Sequence, residues 1–383
     1  MQELNQGETS LKAWPLLGIS VMQAFLLLAH WFIFHTWTVF SGASNPAVIH
    51  ALRIALFLLA FSFITAALLS FRFSNLPVRA IYNFAAVWLG FLNYFFFAAC
   101  LCWLANISLL LFPHAAVLPH IRPLIATVLF ASAVLVAICG LLNAQWIRIR
   151  RVPIQFPNLP ASWRGHTALL ISDLHLGNVN GAGFCRRIVN LAARLKPDIV
   201  FIPGDIFDGA RIDPAKLAAP LRELSPPLGT YFATGNHDEY GDLVRYIEVL
   251  TVAGIRVLNN EKAVINGLHI LGVSYRESAH ILHMRATLER LRPQPGEPSI
   301  LLNHVPNRLP IVEQAGITLQ LSGHTHGGQL FPFTWFTRRA FGKFTYGLHS
   351  FGPLQVYTSC GAGTWGPPMR VGTRPEVVLL QFE

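Results

Sequence analysis

Hydrophobic positions follow two regimes along the chain. Up to about residue 145 they run almost unbroken, in four apolar stretches at roughly 14–40, 47–71, 80–112 and 121–145. Each reaches or exceeds the ~20 residues that a helix needs to cross a bilayer. Turn or charge signals separate them: Ser-Gly-Ala-Ser-Asn-Pro at 41–46, Arg72 to Arg79 with Pro77, and Pro113 to Pro123. The first stretch is too long, and too many similar ones follow it, for a cleaved signal peptide. A basic and aromatic exit, Trp146-Ile-Arg-Ile-Arg-Arg151, leads to prolines at 153, 157 and 160, which favour an extended connector.

Beyond that point apolar runs shorten and alternate with helical patterns. Strands are expected at 167–172, 198–203, 229–234, 256–258, 269–273, 299–303, 318–322, 355–359 and 377–382. Helices are expected at 183–196 and 213–224, the latter opened by Asp213-Pro214, a capping residue followed by a first-turn proline. The predicted organisation is an all-α four-helix transmembrane domain (1–146), a linker (147–164), and an α/β domain (165–383). The last is layered, with a mixed sheet or two facing mixed sheets.

Composition sharpens this division. Hydrophobic residues make up 53% of the 383 and charged residues only 13%, too apolar for a purely soluble chain. The net charge of +10 is spread evenly: residues 1–150 hold seven Lys/Arg against two acids, and the rest hold the remaining +5. Such a spread excess suits an anionic membrane surface rather than nucleic acid, and no nucleic-acid partner is expected. Lys12, Arg72, Arg79, Arg148, Arg150 and Arg151 would share one side of the membrane against Arg122 and Arg53 on the other. The expectation is an integral, multi-pass protein of a bacterial inner membrane with its second half in the cytoplasm. Arg53 is expected to snorkel, and His30, His35 and His50 to stand at helix ends. The five cysteines (100, 102, 139, 185, 360) show neither disulfide nor metal-finger spacing.

Chemistry concentrates at the ends of the predicted strands, in five clusters. Ile171-Ser-Asp-Leu-His-Leu176 sets Asp173 and His175 two apart, on one side of an extended segment. Phe201-Ile-Pro-Gly-Asp-Ile206 releases Asp205 from a strand end after a glycine. Ala233-Thr-Gly-Asn-His-Asp-Glu239 offers Asn236 as a neutral ligand, His237 as a titratable group, and Asp238 to orient an imidazole. Leu301-Leu-Asn-His-Val-Pro306 ends a strand at His304, and Leu321-Ser-Gly-His-Thr-His-Gly-Gly328 pairs His324 with His326. Oxygen and imidazole donors without thiolate suit Mn, Fe or Zn.

In this order the clusters resemble the calcineurin-like metallophosphoesterase superfamily, through Asp-x-His, Gly-Asp, Gly-Asn-His-Asp, His, and Gly-His-x-His. The match covers about 165–383, with Asn303 standing before His304 where the family often has glycine. Gly-Gly-Gln329 and the tail from Gly361 to Arg370 and Glu376 resemble its membrane-associated, YkuE-type branch. The resemblance implies a two-metal phosphoester hydrolase holding two divalent ions. Asp173, His175 and His326 would bind one, Asp205 would bridge, and Asn236, His304 and His324 would complete the second. His237, held near Asp238, would stabilise charge or protonate the leaving oxygen. The aromatic and basic stretch 331–346 suits either contact with anionic lipid or an ordinary cap over the sheet edge. Expected partners are membrane lipids and a phosphoester substrate, lipid-linked in the first reading. A soluble phosphodiester or nucleotide is the second, and a non-enzymatic transporter or receptor the third.

Overall fold

The computed structural model describes residues 3–110, 118–156, 158–209 and 211–383, with side-chain detail from residue 16 onward except at 118–119. Phe112 and Pro157 lie outside the described residues, as does the first part, 113–117, of the predicted break over 113–123. The chain divides into two compact units, Met1–Cys139 and Gly140–Glu383.

The first unit is built from α1 (Glu3–Phe40), α2 (Pro46–Arg72), α3 (Leu76–Leu110) and most of α4 (Leu118–Gln145). All four helices are long and apolar enough to cross a membrane. Asn45 caps α2 by accepting from the amides of Ala47 and Val48, with Pro46 at its first position. Small residues sit where the helices meet, among them Ala29, Ala60, Ala85, Ala86 and Ala99. Leu, Phe and Ile side chains cover the outward faces, the pattern expected of lipid-facing helices. His30 is not at a helix end. It is buried in the bundle, where its Nδ1 lies 2.7 Å from Leu26 O and its Nε2 accepts from Trp88 Nε1 at 2.9 Å. His35 stacks between Trp31 and Trp103. Both imidazoles are held by aromatic partners that make a polar group tolerable at that depth.

The second unit holds two six-stranded mixed sheets. The strands are β1 (Arg148–Ile154), β2 (Thr167–Leu170), β3 (Ile199–Pro203), β4 (Thr230–Ala233), β5 (Ile255–Val257), β6 (Glu261–Ile265), β7 (Leu268–Val273), β8 (Ser299–Asn303), β9 (Leu319–Ser322), β10 (Gly347–Phe351), β11 (Leu354–Thr358) and β12 (Glu376–Phe382). One sheet has the order β1-β12-β2-β3-β4-β5 and the other β10-β11-β9-β8-β7-β6. Alternation along each strand separates the layers. Ala168, Leu170, Ile199 and Phe201 of the first sheet meet Ile270, Ile300, Leu302 and Leu321 of the second in one core. Leu169, Ile171, Val200 and Ile202 point the other way, against α5 (Ala182–Leu195), α6 (Pro214–Ala218) and the helix α8 (Leu243–Val252) that follows α7 (Asn236–Tyr240). The second sheet is covered by α10 (Ile281–Leu291), which follows α9 (Tyr275–Ala279), and by α11 (Leu309–Gln314). The nine-residue α12 (Phe333–Phe341) buries none of its side chains.

The stretch expected as an extended linker, 147–164, falls within this unit. Arg148–Ile154 runs parallel to β12 as an edge strand, from Arg148↔Glu376 to Ile154↔Phe382. Val152 and Ile154 are buried, which is what anchors it. The hairpin strands β6 and β10, absent from the predicted elements, flank β7 and β11 at the two ends of the second sheet.

Candidate metal centre

Strands β2, β3 and β4 run parallel in one sheet, and β7, β8 and β9 run parallel in the other. Their carboxyl ends therefore open along a common edge, the usual place for a site in such sheets. Asp173 and His175 leave β2, Asp205 leaves β3, Asn236 follows β4, His304 follows β8, and His324 and His326 follow β9. Five of these seven hold a left-handed backbone: Asp173 (φ 53), His175 (φ 46), Asp205 (φ 55), His324 (φ 67) and His326 (φ 48). Non-glycine residues take this conformation at a cost, and such strain gathers where a site over-determines it.

The side chains converge. Donor atoms of Asp173, His175 and His326 lie within 4.8 Å of one another, and so do those of Asp205, His304 and His324. His175 Nε2 is 3.0 Å from His326 Nε2, His304 Nε2 is 3.1 Å from Asp205 Oδ2, and His324 Nδ1 is 3.0 Å from Asn236 Oδ1. Glycines let the loops approach this closely: a methyl at Gly235 would fall 2.1 Å from Asp205 Oδ1, and one at Gly323 would fall 2.2 Å from Asp173 Oδ2.

Comparison with known sequences agrees with this geometry. The family profile for calcineurin-like phosphoesterases matches residues 166–328. A metallophosphoesterase of Aquifex aeolicus is 34% identical over 258 residues, 66% of this chain and 97% of that protein. The chain belongs to the calcineurin-like metallophosphoesterases. Also similar are a transmembrane protein with metallophosphoesterase domain of Danio rerio (35% identical; 66% of this chain and 61% of that one) and YkuE of Bacillus subtilis (29%; 59% and 82%). The chain thus spans about six-tenths of the length of the Danio rerio relative. Its matched region, residues 166–328, is a calcineurin-like phosphoesterase domain.

The donor set of this metallophosphoesterase fits divalent cations. His304 Nδ1 lies 2.8 Å from Pro203 O and donates there, which leaves Nε2, 3.1 Å from Asp205 Oδ2, as the atom a cation would take in place of its proton. Two imidazole Nε2 atoms 3.0 Å apart have the spacing of nitrogens sharing one ion at bonds of ~2.0–2.1 Å. Burial acts to lower His304, but Asp205 beside it prevails and holds it up at about 9. Burial also works to raise Asp205, and the facing His304 instead brings it well below the usual carboxylate range. His324 is pushed down to about 3 by burial and by His304, and His326 is lowered by burial and by Arg370. Buried carboxylates and imidazole lone pairs facing one another present the charge and donors that a divalent cation requires.

Three neighbours differ from expectation or were missed. Asp238 does not face His237. It is buried, and its carboxylate accepts from the amides of Asp205 (2.7 Å), Phe207 (3.0 Å) and Gly235 (2.9 Å), fixing the loop that presents Asp205. The physical reason is α7: with Gly235 as N-cap, Asp238 stands at the third helical position and turns back onto the free amides there. The partner of His237 is Asp208, whose carbonyl lies 3.3 Å from His237 Nδ1. Asp208 Oδ1 is also 3.3 Å from His175 Nδ1, a carboxylate backing a metal-site imidazole. The signal for Asp208 was an acid three residues beyond Asp205. Arg370, whose guanidinium donates to His326 O, sits in a glycine- and proline-rich tail with no such signal.

Proposed function

We propose that the chain is a membrane-tethered dinuclear phosphoester hydrolase acting on a lipid-linked or membrane-surface phosphoester. In this reading Asp173, His175 and His326 hold one ion, Asp205 bridges, and Asn236, His304 and His324 hold the other. The observation that carries it is the convergence of these seven side chains at one edge of the two sheets. Two divalent ions, Mn, Fe or Zn by donor type, would supply charge against the phosphoryl oxygens and the acidity that makes water a nucleophile at neutral pH. His237, with Nδ1 turned to Asp208 O, keeps Nε2 to exchange a proton with the departing oxygen. Asp238 keeps the Asp205 loop in place from below.

The lipid half of the reading draws support from exposed aromatic and basic side chains beside the site. On α12, Phe333, Trp335 and Phe336 are more than half exposed, and Arg338 and Arg339 are exposed with them. This helix ends at Phe341, whose ring is 6.2 Å from that of His324. Trp365, 56% exposed, stands 5.7 Å from the ring of His237. Aromatic rings with arginines suit the headgroup layer of an anionic bilayer. The four apolar helices supply the tether, with the second unit on the cytoplasmic side by the distribution of basic residues.

The test is consumption of a phosphorylated species from a chloroform-extracted lipid fraction by the wild type and not by Asp205→Ala. Turnover of a soluble diester without consumption of any lipid would overturn the lipid half and favour a soluble substrate. Replacing Trp335 and Phe336 by Ser should slow the lipid reaction while leaving the soluble diester untouched.

A further inference from the structure

Arg370 is among the most deeply buried charged side chains of the second unit, 1% exposed. Among the described residues no carboxylate lies within ion-pair distance of it; backbone carbonyls take its two Nη groups, and its Nε has no hydrogen-bond partner. Nη1 donates to His326 O at 3.0 Å, while Nη2 donates to Cys360 O at 2.7 Å and Gly363 O at 2.6 Å. Nη2 also lies 3.2 Å from His326 Nδ1. A buried cation with no carboxylate beside it is expensive, so what it holds in place matters.

What it holds are two loops of the metal centre. One is the turn carrying His326. The other, Cys360 to Gly363, lies directly under Asp173: Ala362 N donates to Ser172 O and Gly363 N to Asp173 O, both at 2.9 Å. A methyl at Gly361 would fall 2.6 Å from Asp173 Cβ, and one at Gly363 2.4 Å from Leu174 O. The guanidinium therefore ties together the backbone supports of Asp173 and His326, which belong to the same group of donors.

Arg370 is itself held by the end of α4, whose residues from Gly140 onward belong to the second unit. Arg370 N donates to Gly140 O at 2.9 Å. Asn143 Nδ2 donates to Arg370 O at 2.9 Å and to Thr373 O at 2.8 Å. Gly140 permits the approach, since a methyl there would fall 2.7 Å from Val371 Cγ2.

We propose that Arg370 and Asn143 are positioning residues for one of the two ions: the last turns of α4 hold Arg370 in register, and its guanidinium sets the spacing of Asp173 and His326. The inference rests on the two-ion assignment above. It makes the end of an apolar helix a structural part of one half of the metal centre; the other half, at Asn236, His304 and His324, is not among the groups the guanidinium bonds.

The full-length protein in detergent, stripped with chelator and titrated with Mn²⁺, tests this through the electron paramagnetic resonance of the free ion. Arg370→Ala should weaken one of the two Mn²⁺ by about 10–100-fold, the size typical of losing a group that orients a ligand. The second Mn²⁺ should bind as in the wild type. Asn143→Ala should give the same asymmetry at smaller size. Arg370→Lys should not restore it, because a single ammonium cannot span both loops. Excess Mn²⁺ should recover the turnover of a soluble diester with KM unchanged. If Arg370→Ala fails to fold, Asn143→Ala decides alone. Both ions bound normally by the variants, or both weakened equally alongside a lower melting temperature, would overturn the inference while leaving the two-ion assignment standing. A wild type that takes up no Mn²⁺ would overturn both.

Discussion

The left-handed backbone at five ligand positions should be measurable as stored strain, and His324 is the place to weigh it. His324→Gly and His324→Ala remove the same imidazole, lose the same contact to Asn236, and keep the backbone bond from residue 324 N to Asp173 Oδ1. They differ in whether a Cβ must occupy φ 67. That conformation costs an L-residue roughly 1–2 kcal/mol. Alanine in turn gains about 0.4–1 kcal/mol from the smaller freedom of its unfolded chain. The same pair at His304, which is not among the positive-φ residues, carries the entropy difference without the strain. Subtracting the two pairs removes the unfolded-state contribution and leaves about 1–2 kcal/mol in favour of glycine at 324. For a unit of this size that is a shift of about 2–8 °C in melting temperature. The assay is thermal unfolding of the chelator-treated, full-length variants, so that metal binding plays no part. A glycine-minus-alanine difference that is the same at 324 as at 304 would refute the strain argument.

Other outcomes follow from the same geometry. Asp205→Ala should lower kcat on a soluble diester on the order of a thousandfold and reduce bound metal, as measured by elemental analysis of the purified protein; full activity would refute the bridging assignment. Chelation should lower the melting temperature by about 5–10 °C, reversibly with Mn²⁺ or Zn²⁺, since an ion at a hundred times its Kd stabilises by ~2.7 kcal/mol; a transition indifferent to chelator would remove the metal from the fold. Asp208→Asn, which weakens the group behind His175 Nδ1, should cost about 10–100-fold in metal affinity by competition titration, and unchanged affinity would count against that role.

The four long apolar helices and the ligand-bearing strand ends were legible because each carries a strong local signal. A fully buried strand such as Ile199–Pro203 or Ser299–Asn303 reads as an apolar run, and the polar residue that ends it stands out. Strands β6 and β10 were not legible, because as hairpin edges they are half exposed and lack an apolar run. β1 was read as part of a linker for the same reason: five of its seven residues are exposed or partly exposed, three of them arginines, and its partner lies at the far end of the sequence. Within the site, adjacency in sequence misled for Asp238, which the helix α7 rotates by about 100° from His237. Arg370 was invisible because its role is defined by carbonyls from two separate segments, which no spacing announces.

The position of β12 bears on how this protein is made. It lies between β1 and β2 and pairs with both, so the edge of the first sheet is completed by residues 376–382. At ~5–20 residues per second, a nascent chain that has finished Ile154 waits on the order of ten seconds or more before Glu376 emerges. During that interval β1 has no strand to pair with, and Val152 and Ile154 have no core to enter. Ribosome-bound chains arrested before residue 376 should therefore expose this segment to protease after the apolar helices have already been synthesised, and release it from attack once the final strand is added.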